Sequence, residues 1–227
     1  MKIIGLICAR GNSQDIKNKN LLKFKKTTLL GNSIKQALKS KYINRVIVST
    51  DSDKIAKEAI KNKAEVPFKR PKRLASNNSP EIETWRHAIN FLNKNKDIDL
   101  VVSIPTTSPL RKVSDIDNCI SRAIKNKFDM VFTVTSSGKN PYFNIVQFKK
   151  KKLSLVCTTK HKVHRRQDAP KCYDLTTVCY AFRPKYIINN KNLFKGKVGI
   201  FEVPKKRAID IDHIDDYKLV KLLSRSK

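Results

Sequence analysis

A chain of 227 residues suits one large α/β domain, and 40% hydrophobic content with only 6 Gly and 9 Pro excludes disordered and low-complexity classes. Lys and Arg total 49 against 19 Asp and Glu, a formal charge of +30, which puts polyanionic partners first among those to weigh. Of the basic residues 37 are Lys, strewn among Asn and Ile instead of gathered with Arg and aromatics, so drift toward AT-rich codons explains most of the charge and anionic ligands the remainder.

The opening Met1 to Ala9 is apolar but short, and Arg10 follows it where a leader would place a cleavage site. It predicts a buried first strand over Lys2 to Cys8, not a signal peptide. A helix over Leu29 to Lys39 carries Leu30, Ile34, Ala37 and Leu38 on one face, and Arg45 to Thr50 reads as a second strand ending at Asp51. A helix over Asp53 to Asn62, an extended piece at Glu65 to Phe68, a helix over Pro80 to Asn93 with Trp85 in the core, and a strand over Asp99 to Ile104 follow. Ser114 is the expected cap of a helix reaching Asn126, and Met130 to Val134 forms another strand. From about 136 to 183 the period is irregular, with a two-stranded piece (Asn144 to Phe148, Leu153 to Cys157) whose tip, Lys149 to Lys152, reads as solvated. A strand over Val198 to Val203 and a helix over Asp215 to Leu223 resume the βαβ rhythm. The expectation is one α/β domain over 1–227, a mainly parallel sheet with a protruding insertion.

Other classes drop out. No apolar run approaches the ~18 residues that span a bilayer. Five Cys without CxxC spacing support neither a zinc site nor a disulfide framework and suggest a reduced, cytoplasmic protein. His87, His161, His164 and His213 lack metal-ligand spacing. Lys160 to Arg166 is the densest Arg-containing cluster but holds no aromatic for base stacking, so nucleic acid is not the expected partner. Lys205 to Arg207 reads equally as a solvated basic turn or a source of charge for a phosphate.

Ligands of open α/β sheets bind beyond the carboxyl ends of the strands. After the first strand runs Ala9-Arg10-Gly11-Asn12-Ser13-Gln14-Asp15-Ile16-Lys17-Asn18-Lys19-Asn20, a polar, cationic loop whose backbone N–H groups could cradle phosphates. It matches neither GxxxxGK[S/T] nor GxGxxG. After the last strand comes Ala208-Ile209-Asp210-Ile211-Asp212, whose alternation puts two carboxylates on one side, suited to a hard cation.

These residues resemble the ARxxSxxxxxKN signature of the cytidylyltransferases that activate nine-carbon acidic sugars, the CMP-sialic acid synthetases, and more distantly of those that activate KDO. The likeness continues in order through Val48-Ser49-Thr50-Asp51, Arg70-Pro71-Lys72-Arg73-Leu74-Ala75, Thr107-Ser108-Pro109-Leu110-Arg111, Arg166-Gln167-Asp168-Ala169-Pro170 and Ile209-Asp210-Ile211-Asp212, nearly the whole chain. The resemblance implies a Rossmann-like nucleotidyltransferase sheet with a dimerisation insertion at about 136–183, hence a homodimer. It implies transfer of CMP from CTP to an acidic α-keto sugar, with release of pyrophosphate, for surface polysaccharide or glycoconjugate synthesis. By the same likeness Arg10, Ser13, Lys19 and Asn20 belong to the phosphate loop, and Arg70 and Ser79 to the base and ribose side. Thr107, Ser108 and Arg111 belong to the sugar side, and Arg166 reaches toward the sugar carboxylate in the neighbouring protomer. Asp210 and Asp212 hold Mg²⁺ or Mn²⁺. Lys19, Arg10 and Asp212 are the expected catalytic groups, since charge neutralisation at a polyphosphate carries most of the catalysis.

The chain departs from the family pattern at Pro105, where a sugar-holding Gln is common, and at Thr176-Thr177, where Asn-Gly is common. Asn12, Gln14 and Asp15 stand where Gly, Lys and Gly are frequent. Sialic acid, a legionaminic or pseudaminic type sugar, and another keto-acid sugar such as KDO all remain open as acceptors. A catalytically retired basic relative that binds nucleotide or nucleic acid is the alternative, and joint retention of Arg10, Lys19, Asp210 and Asp212 argues against it.

Overall fold

The computed structural model describes residues 1–13, 15–94, 97–149 and 151–225. Strand β1 (Ile3–Cys8) alternates its side chains between two cores, Ile3 and Ile7 to one and Ile4 and Leu6 to the other, as a strand buried on both faces must. A small hairpin, β2 (Lys23–Phe24) with β3 (Thr27–Thr28), leads into helix α1 (Leu29–Leu38), whose first turn is capped by Thr28 Oγ1 accepting from the Gly31 N–H at 2.9 Å. Then come β4 (Arg45–Ser49), α2 (Asp53–Lys61), α3 (Glu81–Leu92), β5 (Leu100–Ser103), α4 (Val113–Lys125) and β6 (Met130–Ser136). A second hairpin, β7 (Val146–Lys149) with β8 (Lys152–Leu155), precedes β9 (Tyr173–Phe182), α5 (Pro184–Asn189), β10 (Val198–Glu202) and α6 (Ile214–Arg225).

The central sheet has the order β10-β6-β9-β5-β1-β4, parallel except for β9, which runs antiparallel between β5 and β6. Parallel bridges from Ile47 to Glu65 and from Thr50 to Lys69 extend the β4 edge through the extended piece that the sequence predicts at Glu65 to Phe68. Helices α1, α2 and α4 cover one face through Ile34, Ala59 and Ile120. Helices α3 and α5 cover the other through Trp85, Ile89 and Ile187, with Trp85 stacked on Phe182 at 4.7 Å between ring centroids. Each fully buried Ile or Leu here contributes about 1.5–3 kcal/mol. A third, smaller core of Ile16, Phe24, Leu29, Ile211 and Val220 packs α6 beneath the loop that follows β1.

Two expectations need correction. The irregular stretch 136–183 is not all insertion: Tyr173–Phe182 form a central strand, so only 137–172 protrude beyond the sheet. The strand escapes its period because Thr176, Val178, Cys179, Ala181 and Phe182 are all buried between two neighbours, mixing polar and apolar residues where a one-sided strand would alternate. The cap of α4 is not Ser114 either, because the Asp115 carboxylate accepts from the Lys112 N–H at 2.8 Å, which puts the cap at Lys112 and starts the helix two residues earlier. The lysine tip does turn in solvent, with Lys149, Lys151 and Lys152 exposed; Lys150 lies outside the described residues.

Candidate active site

The loop after β1 is fastened over the strand ends on both sides. The Gly11 N–H donates to Asp51 Oδ1 at 2.9 Å, beyond the end of β4. Buried Asn20 donates through Nδ2 to the Arg10 carbonyl at 2.9 Å and accepts at Oδ1 from Thr106 Oγ1 at 2.6 Å, stapling the loop to the segment after β5. Asn18 adopts φ 56°, a left-handed turn that Asn tolerates better than most residues, and the following turn raises Lys19. Arg10 Nη1 donates to the Ser76 carbonyl at 3.1 Å. The resulting cleft, about 200 Å³, is lined by Arg10, Ser13, Lys19 and Asn20 on one wall and by Pro105, Thr106 and Thr107 on the other. Gln14 of the same loop lies outside the described residues.

Lys19 bridges the loop to the acidic segment, its Nζ donating to the Ile211 carbonyl at 2.8 Å and standing 3.5 Å from Asp212 Oδ1. Ile211 is fully buried, and its N–H donates to the Thr107 carbonyl at 2.9 Å, so Asp210 and Asp212 flank it as strand alternation predicts. Asp216 of α6 accepts from the N–H groups of Asp212 and His213 at 3.1 and 2.7 Å and holds that turn. Asp210 Oδ1 is buried without a hydrogen-bond partner. Burial pushes the Asp210 carboxyl above the usual carboxylate range, with Asp212 adding to the shift and the Thr107 and Thr177 hydroxyls and Lys19 opposing it. An orphaned carboxylate oxygen beside a second carboxylate is a hard-oxygen donor pair that fits a divalent cation. No cluster of three or more His, Cys, Asp or Glu side chains that could hold a metal ion occurs among the described residues.

Two residues expected at the sugar wall lie behind it. Ser108 is fully buried and shares a 2.7 Å hydrogen bond with Thr177 Oγ1. Arg111 is 2% exposed, donates through Nη2 to the Pro105 carbonyl, and leaves Nε and Nη1 unpaired. Burial lowers its pKa to about 10, with Cys179, Asp210 and Asp115 opposing. Polar residues in a loop read as cleft-facing, whereas here they turn inward to support it; only Thr107 of the three remains accessible. Arg70 is also buried, its Nε donating to Ser49 Oγ at 3.1 Å and its Nη2 to the Ser49 carbonyl. Ser79 precedes α3, near the Ser76 carbonyl that Arg10 contacts. Arg166 stands exposed on the protruding segment, donating to the Ser137 carbonyl at 2.6 Å. In the Lys205 to Arg207 turn, Lys205 and Lys206 are exposed, while Arg207 is partly covered and forms a two-pronged pair with buried Asp115 at 2.8 and 2.9 Å.

Glu81 and Tyr180 pass unremarked in the sequence. Glu81 opens α3, and its Oε1 accepts from Trp85 Nε1 at 3.2 Å and Ser103 Oγ at 3.5 Å. Its side chain reaches water, yet the protein around its carboxyl raises its pKa, opposed by Trp85, Arg70 and Ser103 and reinforced by Asp210. The same crowding raises Tyr180, with Glu81 and Asp210 contributing.

The profile of the family described as Cytidylyltransferase matches residues 4–223. The chain belongs to this cytidylyltransferase family. It is therefore a nucleotidyltransferase, and the cleft between the β1 loop and Pro105–Thr107, to which Lys19 joins the Asp210–Asp212 segment, is its candidate active site. The enzyme is 34% identical over 224 residues, 98% of its own length and 94% of the relative's, to a CMP-N,N'-diacetyllegionaminic acid synthase of Campylobacter jejuni. It is 33% identical over 228 residues to post-translational flagellin modification protein B of Campylobacter coli, covering 100% of this chain and 96% of that one. A CMP:2-keto-3-deoxy-manno-octonic acid synthetase solved with CTP superposes with a TM-score of 0.73 over 99% of this chain and 98% of that one; at 13% identity it attests the nucleotidyltransferase fold alone. No helix among the described residues is long and apolar enough to cross a membrane.

Proposed function

We propose that the enzyme transfers CMP from CTP to the anomeric hydroxyl of an acidic nine-carbon α-keto sugar of the nonulosonic class and releases pyrophosphate. The anomeric oxygen forms the new bond to the α-phosphorus, the bond from that phosphorus to the pyrophosphate oxygen breaks, and the hydroxyl proton leaves to a base or water. One observation carries the reading: Lys19 Nζ joins the β1 loop to the Asp210–Asp212 segment, so a cation and two carboxylates converge where a triphosphate and a metal must meet. Arg10, Ser13, Lys19 and Asn20 hold the phosphates, and Arg10 and Lys19 stabilise charge on the leaving pyrophosphate. Buried Arg70 shapes the base side from beneath, with Ser79 beside it. Asp210 and Asp212 would hold Mg²⁺ or Mn²⁺, which when bound neutralises the phosphates. Relatives named for diacetyllegionaminic and pseudaminic acids favour an acylamino-substituted sugar for surface glycans.

The protruding hairpin supports a homodimer, because Val146, Phe148 and Leu153 stand 53, 75 and 68% exposed on it, more apolar surface than a free hairpin keeps in water. Such a dimer would carry Arg166 toward the partner's sugar. The five free cysteines suit the reducing cytoplasm. Asp212→Asn tests the reading: circular dichroism should stay native while pyrophosphate release from CTP with Mg²⁺ and a nonulosonic acid falls about 10²-fold or more. Full activity in that variant removes the metal role.

A further inference from the structure

We propose that the recess between the β2–β3 hairpin and the C-terminal ends of α1 and α2 is a second anion site, separate from the catalytic cleft, that takes a compact oligophosphate or a multiply phosphorylated small molecule. The recess measures about 810 Å³, within the range of about 300–1,000 Å³ usual for small-ligand sites, and it shares no lining residue with the cleft. Three stretches far apart in the sequence meet there: Lys23, Lys25 and Lys26 from the hairpin, Lys35 and Lys39 from the end of α1, and Lys61 and Lys63 from the end of α2. Seven of the twelve lining residues are thus Lys, against 37 of 227 in the chain, a density that codon drift alone does not deliver to one place. Among the described residues none of the seven forms an ion pair. No single stretch is dense enough to mark the site in the sequence; the fold assembles it.

Local counter-charge falls short of these lysines. Glu58 is the acid in the lining, and its Oε1 already accepts from Thr28 Oγ1 at 2.8 Å and from Asn62 Nδ2 at 3.0 Å. The two helix C-termini add about −0.5 each, so with Glu58 about −2 stands against seven ammonium groups and about five positive charges are left for a ligand. A monovalent anion leaves most of that excess unmet, whereas an oligophosphate matches it. The base of the recess is fixed in place. A Cβ on Gly31 would run into Thr27 Oγ1 and Asn62 Oδ1, so glycine there lets the hairpin close against α2. Phe24, 1% exposed, and the Tyr217 hydroxyl, which donates to the Lys23 carbonyl at 2.6 Å, pin the hairpin from behind. Such preorganisation lowers the ordering cost of binding. Thr27, Thr28 and Asn62 are half-buried at the base, within reach of a small anion and out of reach of a flat bilayer. Among the described residues no aromatic ring lines the recess, so nothing there stacks the bases of a single strand.

The test is calorimetric titration of tripolyphosphate, without Mg²⁺, into the full chain carrying Lys19→Ala, which removes the phosphate contact of the catalytic cleft. Adding Lys25→Gln, Lys26→Gln and Lys61→Gln should weaken the Kd about tenfold or more, since three exposed charge contacts are lost together. Adding Lys149→Gln, Lys151→Gln and Lys152→Gln instead removes the same charge from the β7–β8 tip and should leave the Kd within about twofold. All six lysines are exposed, so both sets keep the fold. With Lys19 restored, the three substitutions in the recess should leave kcat/KM for CTP within about twofold. Three results overturn the site and leave the catalytic reading standing: no tripolyphosphate binding by the Lys19→Ala enzyme, binding that survives the substitutions in the recess, or equal weakening by those at the hairpin tip. A fall of about tenfold in kcat/KM for CTP on substituting the recess overturns its separation from the cleft.

Discussion

Lys19→Ala separates catalysis from architecture. In the fold, Lys19 makes a charge-assisted hydrogen bond to the Ile211 carbonyl at 2.8 Å and a 3.5 Å pair with Asp212, whose side chain is 62% exposed. The hydrogen bond is worth about 1.5–3 kcal/mol and the solvent-screened pair less than about 1 kcal/mol. Losing both costs about 2 kcal/mol, which in a chain of this length lowers Tm by about 4–8 °C and leaves the enzyme folded at 25 °C. The catalytic loss is larger, because a preorganised cation facing the charge that develops on a polyphosphate is worth about 10²–10³ in rate. Pyrophosphate release at varied CTP should thus show kcat/KM down by about that factor while thermal unfolding shifts only modestly. If kcat/KM stays within about fivefold of wild type and only Tm falls, Lys19 is a strut and the phosphate assignment of the β1 loop is wrong.

Three further outcomes follow from other parts of the molecule. Arg207→Ala strands the Asp115 carboxylate, 1% exposed, without its two-pronged partner and should cost about 3 kcal/mol in a denaturant titration; a loss under about 1 kcal/mol contradicts the pairing. Cys8, at the cleft floor, has its pKa raised to about 12 by burial, against the pull of Arg70, so its thiol stays protonated near neutral pH. Iodoacetamide mapped by mass spectrometry should label Cys157 and Cys172 before Cys8, and early labelling of Cys8 refutes the shift. Replacing Lys149, Lys151 and Lys152 with Gln should leave kcat/KM for CTP within about twofold, because exposed charges at a hairpin tip are screened by salt; a tenfold fall would return those lysines to function.

What was legible in the sequence tracks where one physical rule dominates. Apolar period alone locates β1, α1, β4, α3 and β5, since each buries one stripe or two faces of uniform chemistry. It misses β9, where Thr176 and Cys179 share the interior with Val178 and Phe182 and the chain runs against its neighbours. The motif residues after β1 and around Asp210 meet in one cleft because loops at the carboxyl ends of parallel strands must. Ser108 and Arg111 show the limit of that reasoning: a motif tells which residues a loop contains, not which of them it turns inward. Glu81 shows the converse, an ordinary helix-opening residue whose carboxylate tertiary packing anchors on Trp85 and Ser103.

The most direct measurement is pyrophosphate release by the wild-type enzyme from CTP and Mg²⁺ across a panel of legionaminic, pseudaminic and neuraminic acids and KDO. The account predicts acceptor-dependent release with CTP, strongest with an acylamino nonulosonic acid. No release with any acceptor, accompanied by salt-sensitive binding to RNA, would contradict it.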